Sequence, residues 1–155
     1  MLRALLAAGP VAYIGRVGHA PFEEDDPLEI VFESGAVFHV EIGFEAATDI
    51  VIGEGTLLEA AFGHLRSAEL DSFTAIARGW TQEALDLPWL KGQTLANPRR
   101  LTMTHPYRVD VGYVFEAGSR QLALFGESDL IFAAALDDPH IESFALEIGA
   151  PYSAA

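Results

Sequence analysis

Alternation of apolar and polar positions divides this chain into two strand-rich blocks around a middle stretch with a helical period. In the first block Leu28, Ile30 and Phe32 share one face of a strand, and Phe38, Val40 and Ile42 share one face of the next. A two-residue loop at Ser34-Gly35 would pair Phe32 with Val37 and put the two apolar triads on opposite faces. A three-residue loop, Glu33-Ser34-Gly35, pairs Phe32 with Ala36 and Ile30 with Phe38, so both triads face one core. Gly35 then takes the loop position that needs a positive φ. The other face sets Glu29, Val31 and Glu33 against Val37, His39 and Glu41. It is half polar and expected to meet solvent or a partner.

The second block repeats the plan. Val31-Phe32-Glu33-Ser34-Gly35 is echoed by Val114-Phe115-Glu116-Ala117-Gly118, and Asp49-Ile50-Val51-Ile52 by Asp129-Leu130-Ile131-Phe132. We read a supersecondary unit used twice, at about 22–52 and about 99–135. With Gly118 placed as Gly35 is, Val111, Tyr113 and Phe115 share a face with Gln121, Ala123 and Phe125, while Val114, Leu122 and Leu124 take the other. Apolar residues on both faces place these strands near a sheet centre.

Between the blocks the period lengthens. Thr56-Leu57-Leu58-Glu59 fits a capping box, followed by a stripe of Leu57, Leu58, Ala61, Phe62 and Leu65. A second stripe runs through Leu70, Phe73, Ile76, Ala77, Trp80 and Ala84, with Gly79 as an interruption and Pro88 as the end. The helical middle is therefore expected over about 56–87. Before the first block, Leu2 to Ala8 reads as a short helix and Val11 to Val17 as a strand. Gly9-Pro10 breaks the apolar run that a signal peptide would need. After the second block, Asp137-Asp138-Pro139 reads as a turn, Ile141 to Ile148 as a last strand, and the final five residues as a tail. The expectation is one α+β domain over 1–155. Its mostly antiparallel sheet has about eight or nine strands from two similar hairpin units, and the helical segment between them packs on one face.

Composition narrows the function. The chain has 155 residues, half of them hydrophobic, with 23 acids against 9 Lys plus Arg and a formal net charge of −14. That apolar content suffices for a core and excludes a disordered acidic tail. The negative surplus argues against nucleic acid as a partner and favours a cationic one. Without cysteine there are no disulfides, thiolate nucleophiles or cysteine-ligated zinc. No apolar run reaches the length of a membrane helix, and we expect a cytoplasmic protein with no membrane contact and no cofactor. The charge is uneven. Residues 1–60 hold two arginines and eleven acids, 61–110 are close to neutral, and 111–155 hold one arginine and seven acids.

Several residue groups carry side chains capable of chemistry. His39 and Glu41 point the same way on one strand, near Glu29, as a metal or acid–base group would; a polar sheet face gives the same pattern. Gly53-Glu54-Gly55-Thr56 lies where a dinucleotide loop would, but Leu58 replaces the third glycine and an acid occupies the phosphate position. No metal site and no catalytic residue is assigned. Glu23-Glu24-Asp25-Asp26 is the densest acidic run and lacks the spacing of a calcium loop.

In size, acidity and α+β hairpin texture the chain resembles the immunity proteins that bacteria keep beside secreted toxins. The resemblance implies occlusion, in which an acidic face and loop dock on the basic cleft of a toxin domain. The contact residues expected are Glu23, Glu24, Asp25, Asp26, Glu29, Glu33 and Glu41. The alternative is a small ligand-binding domain or enzyme. In that reading Trp80 and Trp89 supply apolar walls, and Arg99, Arg100 and Arg108 hold an anion. Convergence of those five residues on one pocket separates the two readings.

Overall fold

A computed structural model describes residues 2–43, 49–68 and 70–152, apart from the side chains of Ser67 and Ala68. The described residues form ten strands in two five-stranded antiparallel sheets. The architecture is mostly antiparallel sheet with few helices, consistent in broad terms with α+β, but the strands divide between two sheets where one was expected. A short helix α1 (Leu2–Leu6) leads into β1 (Val11–Gly18). β2 (Leu28–Phe32), β3 (Val37–Ile42) and β4 (Ile50–Glu54) form a meander, and the first sheet runs β4-β3-β2-β1-β5, with β5 at Thr81–Ala84. The second sheet holds β6 (Leu95–Met103), the meander β7 (Val109–Ala117), β8 (Arg120–Glu127) and β9 (Leu130–Ala135), and β10 (Leu146–Pro151), in the order β10-β6-β7-β8-β9.

One core joins the sheets. Ile14, Leu28, Ile30, Phe32, Phe38, Val40, Ile50 and Ile52 from the first pack with Leu95, Phe115, Ala117, Leu122, Leu124 and Ile131 from the second, and α1 adds Leu2 and Leu5. A smaller core contains Leu101, Met103, Val111, Val114, Ala123, Phe125 and Ile141. Leu122, Ala123, Leu124 and Phe125 are therefore all fully buried, as expected for a strand covered on both faces.

The first hairpin has the register expected from its pattern. Ile30 opposes Phe38, the Phe32 N–H donates to the Ala36 carbonyl at 2.9 Å, and Gly35 has φ +92°. The second does not. Ala117 opposes Arg120 and Phe115 opposes Leu122, so the loop is Gly118-Ser119 alone, with Gly118 (φ +65°) first, the glycine position of a type II′ turn. Phe115 thus shares its face with Leu122 and Leu124. Val111 is the extra residue of a bulge, since Leu101 opposes Gly112 and Thr102 opposes Asp110. The bulge lets Val111 join Val114 in the smaller core.

The middle stretch holds three short helices, α2 (Leu57–Phe62), α3 (Leu65–Ala68) and α4 (Leu70–Ala77). Thr56 caps α2 by accepting the Glu59 N–H at 3.3 Å, while the Glu59 carboxylate pairs with Arg66 at 2.7 Å. Helix ends at Ala77, short of the expected position 87, because Gly79 (φ +77°) turns the chain and Thr81–Ala84 pairs with β1. At the other end, Pro139–Phe144 is a 3₁₀ turn capped by Asp138, so the last strand starts only at Leu146. The expected tail is partly strand. Pro151 closes β10, the Tyr152 N–H donates to the Pro98 carbonyl at 2.7 Å, and residues 153–155 lie outside the described residues. No helix among the described residues is long and apolar enough to cross a membrane.

Candidate functional site

The acidic run 23–26 lies in the loop between β1 and β2, and its shape follows from Arg16, which no motif in the sequence marks. Arg16 is the one charged residue in the otherwise apolar β1, and only 8% of its surface is exposed. Opposite Leu28, its guanidinium donates from Nη1 to the carbonyls of Glu24 (3.1 Å) and Asp26 (2.7 Å), and from Nη2 to the buried carbonyl of Ile131 in β9 (2.6 Å). Burial lowers the Arg16 pKa, and the fields of Glu24, Asp26 and Asp25 act in the opposite direction. The loop closes on itself where the Glu23 N–H donates to Asp26 Oδ2 at 2.7 Å, and the Ile131 N–H donates to the Glu24 carbonyl at 2.9 Å. The acidic run thus offsets the charge of a buried arginine and ties the loop to the edge of the second sheet.

Beside this junction lies an open groove of about 540 Å³. Leu85, Leu87, Leu130, Phe132, Ile141 and Phe144 give it apolar walls, Glu24, Asp86, Glu127 and Asp138 supply carboxylates, and Arg16 borders it with the one guanidinium. Among the described residues none of these four makes an ion-pair contact with a lysine or arginine head group, Glu24 acting on Arg16 only through its field, whereas Arg66, Arg100, Arg108 and Arg120 all have carboxylate partners. Asp86, Glu127 and Asp138 come from three distant segments, and no spacing in the chain announces their convergence.

The other acids of the expected contact set do not assemble into one face. Glu29 is 3% exposed and therefore no surface contact. Its Oε2 accepts the Leu57 N–H at 2.7 Å, fastening the start of α2 to the sheet, and its Oε1 accepts from Gln82 Nε2, with Tyr13 donating to Gln82 Oε1 at 2.5 Å. His39, opposite Glu29 and also buried, donates from Nδ1 to the Gly55 carbonyl at 2.9 Å; its Nε2 lies 4.0 Å from Glu41. The polar face of the first hairpin is thus covered around these two residues by the segment 55–57. Glu33 sits at the opposite end of β2 from the acidic loop, about 20 Å away at the rise of a strand. Among the described residues no group of three or more His, Cys, Asp or Glu side chains is placed to hold a metal.

The five residues of the alternative anion site do not converge either. Trp80 packs edge-on with His19 and Phe62 beside a pocket that contains Glu29, a carboxylate of the wrong sign to hold an anion. Trp89 lies under the Arg120 guanidinium, 4.8 Å from its ring centre. Arg99 donates to the Gly149 carbonyl at 2.8 Å. Arg100 sits over Tyr113 and pairs with Asp49 at 2.8 Å and Asp110 at 3.5 Å. Burial alone would lower the Arg100 pKa, but the hydrogen bond and charge of Asp49, helped by Tyr113 and Asp110, raise it. Arg108 makes a two-pronged pair with Glu147 at 2.9 and 3.0 Å. Proximity along the chain separates into distinct structural duties.

Compared with protein-family models, curated proteins and solved structures, the chain matches none.

Proposed function

We propose that this protein is an acidic binding protein that neutralises a basic protein partner by occlusion, as an immunity protein does for a secreted bacterial toxin. The observation that carries this reading is the groove beside the 23–26 loop, where Glu24, Asp86, Glu127 and Asp138 surround apolar walls against a single basic head group, that of Arg16, which is already donating to three backbone carbonyls. Unbalanced carboxylates around an apolar cleft attract a cationic surface over a distance, and the apolar walls then slow its release. Glu23, Glu24, Asp25 and Asp26 remain contact residues in this proposal, joined by Asp86, Glu127 and Asp138, while Glu29 drops out because it is buried. Occlusion requires no catalytic group and no cofactor.

The test is capture from the native host followed by purification of the captured protein. The reading expects a basic protein whose activity is lost at equimolar ratio with this chain. Capture of no basic protein, or of one whose activity is unaffected, contradicts it.

A further inference from the structure

β9 is the outermost strand of the second sheet, so among the described residues one of its edges has no neighbouring strand. The Ile131 N–H donates outward to the Glu24 carbonyl, and the Ile131 carbonyl accepts outward from Arg16, which fixes which way this residue's backbone points. Backbone groups alternate along a strand, so the N–H and C=O of Ala133, and the N–H of Ala135, point to the same side. The Ala135 carbonyl accepts the Asp138 N–H at 2.9 Å, while Ala133 borders the groove and has no backbone partner on that side among the described residues. The edge from Ile131 to Ala135 is therefore tied down at both ends and open in the middle, over about 13 Å of strand.

We propose that the groove takes an extended basic segment of the partner, which adds to the second sheet along β9 and pairs its backbone with Ala133. This rests on the reading under Proposed function and supplies its binding mode. An added strand sends alternate side chains to opposite faces. One set runs beside Phe132 and Ala134 toward Phe144 and is apolar. The other runs beside Ala133 toward Leu85-Asp86-Leu87 and carries lysine or arginine for Asp86, with Glu24 and Glu127 at one end of the groove and Asp138 at the other. The occupant is thus a strand in which apolar and basic residues alternate. Four carboxylates against the one guanidinium of Arg16, itself held by backbone carbonyls, disfavour an acidic segment and also disfavour a second copy of this chain, whose own β9 edge carries the same charges.

The experiment uses the whole chain, ¹⁵N-labelled, titrated with the peptide acetyl-Lys-Val-Lys-Val-Lys-Val-amide. Controls are its Glu-Val counterpart and a Lys-Val peptide N-methylated at alternate residues. The expected result is binding of the Lys-Val peptide with shifts of the Ala133 amide and its β9 neighbours. N-methylation of the peptide, or Ala133→Pro, is expected to weaken binding at least tenfold. Proline at an outward-facing edge position removes the donor without touching the ladder to β8, and the N-methylated peptide tests the same pairing on the unaltered chain. Salt-sensitive Lys-Val binding that ignores both changes overturns strand addition while leaving the cationic reading in place. Equal binding of the Glu-Val peptide overturns the cationic reading itself. Shifts at Ala133 on dilution of the protein alone would assign the edge to a second copy and overturn the proposal.

Discussion

Arg16→Met keeps most of the apolar stem of the side chain and removes its head group. The Ile131 carbonyl then stays buried without its donor, and the carbonyls of Glu24 and Asp26 lose theirs at a partly hydrated site. A hydrogen bond to a charged group contributes about 1.5–3 kcal/mol when desolvated and less where water can replace it. The three together come to about 3–4 kcal/mol, a large share of the stability of about 5–15 kcal/mol typical of such a domain. For a chain of this size that corresponds to a fall in Tm of about 10 °C. Urea unfolding followed by circular dichroism gives the first number and a thermal scan the second. Amide exchange supplies the location, since Ile131 and the 23–26 loop should lose protection before the rest of β9. The acids provide an internal control. Glu24→Gln, Asp25→Asn and Asp26→Asn together should cost up to about 1 kcal/mol in the parent chain, where they offset the buried charge. In the Arg16→Met background they should be neutral or stabilising, because there the carboxylates only repel one another. If Arg16→Met lies within about 0.5 kcal/mol of the parent, the scatter of ordinary surface changes, Arg16 does not organise the loop and the reasoning fails.

Three further expectations follow from the same geometry. Glu29→Ala should cost about 2 kcal/mol and speed exchange of the Leu57 amide, which loses its buried acceptor; unchanged exchange at Leu57 would show that α2 is held otherwise. Gly112→Ala should cost about 2–3 kcal/mol, measured by urea unfolding, since a Cβ there collides with the Leu124 carbonyl and the Phe125 backbone across the ladder; parent-like stability would refute this register. The exposed pair Arg108–Glu147 sets a pH dependence. The hydrogen bond from Arg108, and then its charge, lower the Glu147 pKa, so the pair's contribution is present above the ordinary glutamate range and fades as pH falls through the lowered value. An NMR titration should place Glu147 below an ordinary glutamate, and Arg108→Ala should return it there.

The first hairpin was legible because one face is apolar and the other is not, so only the three-residue loop brings Ile30 and Phe38 together. The second was misread because Leu122 to Phe125 is apolar without a break: when both faces are buried, alternation cannot choose between loop lengths one residue apart. β5 reads as helix in the sequence because Trp80 and Ala84 happen to fit a helical spacing. Thr81–Ala84 carries no apolar alternation, and its pairing with β1 decides its form. The acidic run stands out in the sequence; its partner does so only faintly. Arg16 is a single charge in an apolar strand, seven residues before the run begins, and that placement was the available signal. The groove could not be found from spacing, since β9, the segment after β5 and the 3₁₀ turn meet only through the stacking of two sheets. The Trp and Arg cluster failed in the opposite way: its members are neighbours in sequence, and the fold sends each to a different partner.

The most direct test of the central claim is the salt dependence of affinity for the purified basic partner, comparing the parent chain with a Glu24→Gln, Asp86→Asn, Glu127→Gln, Asp138→Asn variant. Asparagine still caps the turn at 138, so the fold is kept. The account predicts binding at least tenfold weaker at low salt, with a flatter dependence on salt. Equal affinity and an equal slope would contradict it.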